Sequence, residues 1–304
     1  MIPEFPQFKK LELSDKNNIE RITAKYPPYS DFNFTSLWSW DLKNEILFSR
    51  LNNNLVVRFM DYITGEPFYS FIGENNTSET ALQLLKLSNT ENITLKLDMI
   101  PEVSINELDA TKFSIVESRN HFDYILSLDL ISKFEHKTLR EHANFKRRFL
   151  DEYENEWTVK IIDLCNTKDR SDIMSLTTTW TKNKLEQEKG DLEHLEDVVK
   201  KFFIIQDKYR ENFVSVGIYH KDTLIAYTIN ELLGGDYCVC HFMKCDNSFK
   251  GIYSHLVSET SIILSKAGKK YINFEQDLGL MNLRQAKKTF QPINFLKKYT
   301  ITSL

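Results

Sequence analysis

Residues 237–292 read YCVCHFMKCDNSFKGIYSHLVSETSIILSKAGKKYINFEQDLGLMNLRQAKKTFQP. Tyr237–Lys244 reads as a strand, and a short polar loop, Asp246–Gly251, follows it. Residues 251–266 then have helical period, and Tyr271–Phe274 is a second short strand signal. That strand stops at two carboxylates one residue apart, Glu275 and Asp277. A turn at Gly279 leads into a helix over residues 281–289 that carries Arg284, Lys287 and Lys288. Ligands of open α/β sheets bind beyond the C-terminal ends of strands. Acids at such an end, with bases on the next helix, therefore mark a candidate polar site.

Working outward, Phe213–Tyr219 and Thr223–Leu233 are strands, and Gly234-Gly235-Asp236 is a strong hairpin signal before Tyr237. Trp157–Leu164 reads as a strand, with helices over 168–187 and 191–208. A long helix signal runs from Thr138 to about Tyr153, and a last strand covers Phe295–Ile301. Further upstream, residues 45–51 and 54–60 form a hairpin, Gly65–Ile72 is a strand, and a helix capped at Thr77 or Ser78 runs to Leu87. Ile93–Leu97 and Phe113–Glu117 alternate as strands do. The expected fold class is α+β. Two domains are expected, at 1–135 and 136–304, each a mixed, mostly antiparallel sheet flanked by helices.

Composition bounds the function. With 304 residues, 41% hydrophobic and 27% charged, the chain can bury a core and is not a disordered polymer. A net charge of −4 argues against a surface devoted to nucleic acid, though not against a local basic patch. No apolar run approaches the roughly 20 residues a membrane span needs. The expected location is the cytoplasm, with the four cysteines reduced.

The second half has the order β-α-α-β-β-β-α-β-α-β, that of the GNAT acyltransferase fold. Four stretches sharpen this: SDFNFTSLWSW at 30–40, HFDYILS at 121–127, LREHANFKRRFLDEY at 139–153, and HFMKCDNSFKGIY at 241–253 running on to INFEQDLGLMNLRQAKKTFQP. Together they resemble the bacterial proteins grouped with the C-terminal domain of phosphatidylglycerol lysyltransferase. The resemblance implies a tandem pair of GNAT-like domains similar to the Fem-type aminoacyl transferases. Those move an amino acid from a charged tRNA to an acceptor amine or hydroxyl. The chain departs from the family pattern at Met243 and Gln276, where its relatives carry acids.

The residues divide by role. Glu275 and Asp277, at i and i+2 of an extended strand, would face one pocket and supply a general base; the alternative is that they pair with Arg284 and Lys287 and only hold the helix. Lys244 or Arg284 would stabilise an oxyanion or a donor phosphate. Arg284 and Lys287 share a helix face and suit a phosphate, a carboxylate or the terminal adenosine of tRNA. Lys250 and Tyr253 would line an acyl-donor pocket. Arg147, with Lys146 and Arg148, makes a basic helix face that is either a nucleic-acid contact or simply solvated. The loop at 246–251 carries bulky Phe249 and Lys250, which is poor chemistry for cradling a pyrophosphate.

No cofactor is expected beyond the acyl donor, aminoacyl-tRNA or acyl-CoA. The acceptor is a small molecule or a lipid. Cys238, Cys240, Cys245 and His241 read as buried side chains rather than as a metal site. The aromatics Phe32, Phe34, Trp38 and Trp40 read as core packing, as does Trp180. The alternatives to aminoacyl transfer are an acetyl-CoA-dependent N-acetyltransferase and a ligand-binding or regulatory protein that has lost catalysis.

Overall fold

The computed structural model describes residues 1–61, 64–154, 156–187 and 194–304, the side chains of 185–187 excepted. Among them lie two compact units. Neither is continuous in sequence. The first comprises 1–123, 276–284 and 295–304, the second 124–275 and 285–294.

The first unit is built on a seven-stranded sheet. A two-residue strand β1 (Lys9–Lys10) precedes helices α1 (Lys16–Thr23) and α2 (Phe34–Trp40). Strands β2 (Leu47–Leu51), β3 (Asn54–Met60) and β4 (Pro67–Ile72) form an antiparallel meander. Helix α3 (Thr77–Thr90) crosses over to β5 (Lys96–Pro101), which runs parallel to β4. Beyond it comes β6 (Phe113–Glu117). Between β5 and β6 lies β14 (Lys298–Ser303), antiparallel to both. Ile301 of β14 enters the apolar core with Val56, Tyr69, Phe71, Leu84 and Leu97.

In the second unit, β7 (Asp123–Ser127) leads to helices α4 (Leu128–Lys133) and α5 (Arg140–Glu152). Strand β8 (Trp157–Ile162), helices α6 (Thr167–Gln187) and α7 (Leu195–Tyr209), and the meander β9 (Phe213–His220), β10 (Thr223–Leu232), β11 (Tyr237–Cys245) follow. Helix α8 (Ile252–Lys266) crosses to β12 (Tyr271–Asn273), parallel to β11. Helix α9 (Met281–Thr289), whose residues up to Arg284 belong to the first unit, and strand β13 (Asn294–Leu296) come next. The sheet order is β13-β7-β12-β11-β10-β9-β8. The β9–β10–β11–α8–β12 run is the GNAT-like order expected from the sequence.

Two expectations change. The single last strand is two strands: β13 and β14 belong to different sheets, and the chain leaves one for the other at Lys297. The doublets Phe295-Leu296 and Lys297-Lys298 interrupt the alternation of NFLKKYTITS, but such a break marks a bulge as readily as a change of sheet, so periodicity alone could not show it. The aromatic stretch at 30–40 contains a short helix, capped by the Asn33 side chain, which accepts from Ser36 N at 2.9 Å. Phe32 and Phe34 are core, whereas Trp40 is exposed. Of the helix expected over 191–208, residues 191–193 lie outside the described residues.

Gly251 shows how tightly α5 meets α8. Its φ is +84°, and a Cβ there would stand 2.0 Å from the Phe145 carbonyl oxygen. Both the left-handed backbone and the close approach require glycine.

Candidate functional site

In the second unit the site begins with a strand that outruns its neighbour. β12 pairs with β11 only through Tyr237, Cys238 and Val239. On its other edge β11 stays paired with β10 as far as Cys245. From Cys240 onward, one edge of β11 is therefore unmatched by β12. Chemistry collects along that edge.

Lys244 is half-buried there, with its Nζ 3.6 Å from the centre of the Trp180 ring. Burial pushes its ammonium down to about 8, and the like charges of Lys184 and Lys287 act in the same direction. Among the described residues no carboxylate comes within ion-pair reach of it. Trp180, expected in the core, instead gives its face to this cation. Lys287 donates to the Phe274 carbonyl at 2.6 Å. Glu275, Lys287 and Lys244 all act electrostatically on the Cys240 thiol, which burial above all pushes up. Tyr253 of α8 lies against Phe290, ring centres 5.7 Å apart and the rings tilted, and is exposed. The structure thus brings Lys244, Glu275 and Lys287 to one neighbourhood.

His241 explains how Glu275 is held. The register of β10 against β11 shifts between Ile229 and Asn230, whose partners are Phe242 and Cys240, so His241 is the extra residue of a β-bulge. A bulge re-aims side chains. Here it sends the imidazole between two carboxylates, Nε2 3.2 Å from Glu231 Oε2 and Nδ1 3.1 Å from Glu275 Oε1. Burial opposes charging the ring, but the hydrogen bonds to Glu231 and Glu275 outweigh it and raise its pKa to about 9. Glu231 and His241 are sealed in, with side chains 1% exposed, while that of Glu275 keeps 22%. The arrangement is a buried imidazolium with one carboxylate that reaches solvent.

The expected pairing of Glu275 with Asp277 on one strand face does not occur. β12 ends at Asn273, whose Oδ1 accepts from Glu275 N at 2.6 Å. Glu275 then takes a left-handed φ of +57°. A period-two argument cannot pass such a turn. The two acids fall in different units.

Asp277 lies in the first unit, and its side chain is 0% exposed. Arg284 grips it side-on, Nε to Oδ2 at 3.0 Å and Nη2 to Oδ1 at 2.8 Å. Arg119 Nη1 donates to Oδ2 at 3.2 Å, and Gly279 N to Oδ1 at 2.9 Å. Four donors on one carboxylate make an anchor, the alternative that the sequence left open. Gln276 donates to Asp31 at 2.9 Å in the same unit. Asp31 and Asp123 both accept from Lys298, the latter at 2.8 Å, and all three side chains are buried.

Lys250 and Arg147 are exposed. Arg147 donates to Asn144 on its own helix, whereas Lys146 pairs with Glu259 at 3.3 Å. Phe149 is core, stacked on His255, and Phe145 is exposed. Met243 packs against the cluster of Phe149, Ile252 and Leu256. Cys238, Cys240 and Cys245 are buried. Among the described residues no three potential metal ligands converge.

Sequence reasoning missed Glu231, His241 and Arg119 as partners. Glu231 and His241 offered a signal, a charged and an ionisable residue inside two otherwise apolar strands. Arg119 offered none.

Comparison with known proteins now places the chain. The family profile of the phosphatidylglycerol lysyltransferase C-terminal domain matches residues 23–302. No curated protein matches. Among solved structures, a conserved protein of unknown function from Bacteroides thetaiotaomicron superposes with a TM-score of 0.82 at 22% identity, over 100% of both chains. The C-terminal domain (DUF2156) of an Agrobacterium fabrum protein assigned as a lysylphosphatidylglycerol synthetase gives 0.66 at 11% identity, over 95% of this chain and 91% of that one. L-PGS from Bacillus licheniformis gives 0.60 at 12% identity, over 99% and 93%. At these identities the structural likeness establishes the fold.

Proposed function

The chain belongs to the phosphatidylglycerol lysyltransferase C-terminal family, and on that premise we propose that it transfers an aminoacyl group from an ester donor to an amine or hydroxyl acceptor at the free edge of β11. One observation carries this reading: Lys244 and Glu275, a cation without an ion-pair partner among the described residues and a carboxylate that reaches solvent, both act on the same point of β11.

Attack on an ester needs a proton acceptor and a counter-charge for the developing oxyanion. Glu275 takes the proton from the attacking group and returns it to the donor's hydroxyl oxygen as the ester C–O bond breaks. His241, locked between Glu231 and Glu275, fixes the orientation of that carboxylate. Lys244, only partly hydrated, faces the oxyanion, and Lys287 adds positive charge nearby. Tyr253 and Trp180 supply apolar walls.

Aminoacyl-tRNA is the favoured donor. The 246–251 loop lacks the small residues that let backbone N–H groups close on a pyrophosphate, and α5 crowds the first turn of α8 at Gly251. Exposed Arg147 and Arg148 on α5 suit an RNA backbone. A second reading, a ligand-binding protein without catalysis, draws on Met243 and Gln276. Where relatives carry acids, these side chains serve packing and an internal hydrogen bond.

The test is a transfer assay with aminoacyl-tRNA and with acetyl-CoA as donors, on the wild type, Glu275→Gln and Lys244→Met. Transfer from aminoacyl-tRNA, reduced roughly 100-fold or more by Glu275→Gln, supports the proposal. Turnover of acetyl-CoA alone would redirect it to acetyl transfer. Thermal stabilisation by ligand with no turnover of either donor would leave the binding reading.

A further inference from the structure

Helix α7 buries a row of residues four apart, Val198, Phe202 and Gln206, and the last of them is polar. Strand β9 buries a second polar residue, Ser215. Both line one cavity of about 410 Å³, a size that suits a small molecule. We propose that this cavity binds a small uncharged molecule with an aliphatic body and a carbonyl oxygen.

The cavity lies at the outer end of the second sheet. β8 is the end strand of the order, and its Ile162 stands opposite Ser215. The last turn of α7 brings Gln206 there, and exposed Arg210 and Glu211 follow it at the mouth. Gln206 is 4% exposed and Ser215 2%, yet Gln206 Nε2 and Ser215 Oγ have no hydrogen-bond partner among the described residues. A buried donor left unpaired is costly, and folded proteins keep few of them. Two such residues on the wall of one cavity call for an acceptor from outside the chain. A carbonyl oxygen, with two lone pairs, can serve more than one donor. The rest of the lining sets the rest of the ligand. Ile162, Leu164 and Phe213 give it apolar side chains. Arg210 and Asp163 are its opposite charges, and they already pair at 2.7 Å. A carboxylate would therefore lose hydration without gaining a free counter-ion, and Glu211 would repel it.

None of the residues given a part in transfer lines this cavity. The experiment uses the full chain, with isovaleramide as the probe and isovalerate as its charged counterpart, read by ligand-observed NMR and by the amide resonances of the protein. Isovaleramide should bind and shift the side-chain amide of Gln206. Gln206→Leu should weaken binding roughly tenfold, the worth of one hydrogen bond, and Ser215→Ala should weaken it as well. Without the probe both variants should melt at or above the wild-type temperature, because each removes an unpaired buried group; a purely structural role would lower it. Isovalerate should bind more weakly than the amide. A cavity that holds only water shows no binding of isovaleramide, which overturns the site. Equal binding to wild type and Gln206→Leu, or tighter binding of isovalerate, does the same. So do wild-type resonance shifts that spare Gln206 and residues 211–215, a result that needs no variant to fold. A chain that binds isovaleramide here yet transfers nothing keeps this site and loses the transferase reading.

Discussion

The two units run the same plan to opposite ends. In the first, β4 hands over through α3 to the parallel strand β5; in the second, β11 hands over through α8 to β12. Each sheet then takes an antiparallel strand from a distant part of the chain, β14 beside β5 and β7 beside β12. The penultimate residue of β4 is Phe71, wholly buried in the core. The penultimate residue of β11 is Lys244, half-buried against Trp180. The loop after β4 is plugged by Asn54, whose side chain bonds Asn75 N and O at 3.1 and 2.7 Å. One copy of the plan is closed by apolar packing, and the other keeps ionisable groups along a strand edge that its parallel neighbour does not reach. What separates a scaffold from a candidate site here is a handful of side chains, not the architecture.

Buried Lys298 and half-buried Lys244 offer the widest contrast. Lys298 is the shared cation of Asp31 and Asp123, and its removal strands two buried carboxylates. Lys298→Met should cost roughly 3–5 kcal/mol, measured by urea unfolding. Lys244→Met should leave stability unchanged or raise it, because it removes a partly buried charge with no ion-pair partner among the described residues. Equal losses in the two variants would erase the distinction drawn between the units.

A pH titration separates them next. His241 is raised from 6.5 to about 9, so its stabilisation is complete below 6.5 and fades as the pH climbs through 9. The second unit should therefore lose on the order of 3 kcal/mol across that window. His241→Gln should flatten the slope. Lys298 is raised above an already alkaline value, so the first unit should hold over the same range. Lys244, lowered to about 8, works in the opposite sense: its charged form is disfavoured in the fold, and stability recovers as the pH rises above 8. The His241 slope is thus cleanest in a Lys244→Met background.

The smallest effect is on activity. If Lys244 acts as a cation, transfer should decline as the pH passes about 8. Lys244→Arg, which stays charged, should remove that descending limb. A rate that instead rises through 8 in the wild type and loses the rise in Lys244→Arg would make Lys244 a base.

Local pattern made the second sheet legible. Glycines mark the β10–β11 hairpin, and the period changes from two to 3.6 where α8 begins. The placing of Glu275 near Lys287 followed from strand-end logic, whereas that logic also expected Asp277 beside them. Three things were not legible. A one-residue bulge at His241 leaves composition and alternation almost unchanged, yet it re-aims the imidazole. β12 stops at Asn273, four residues before Asp277, and the left-handed turn at Glu275 follows; nothing short of the Asn273 side-chain bond announces it. Arg119 and Lys298 reach their acids across most of the chain, and periodicity is silent about such distances.

The position of β14 sets an order on the making of this molecule. At roughly 5–20 residues per second, a ribosome finishes β5 and β6 on the order of ten seconds before it delivers the strand that joins them. Through that interval both strands present unpaired edges, and Asp31 and Asp123 have no Lys298 to neutralise them. An apolar strand in that gap would bury Asp31 and Asp123 without the cation that Lys298 brings, a cost that disfavours a wrong strand. The ion pairs of Lys298 thus favour β14 in that gap over a strand with no cation at the same depth.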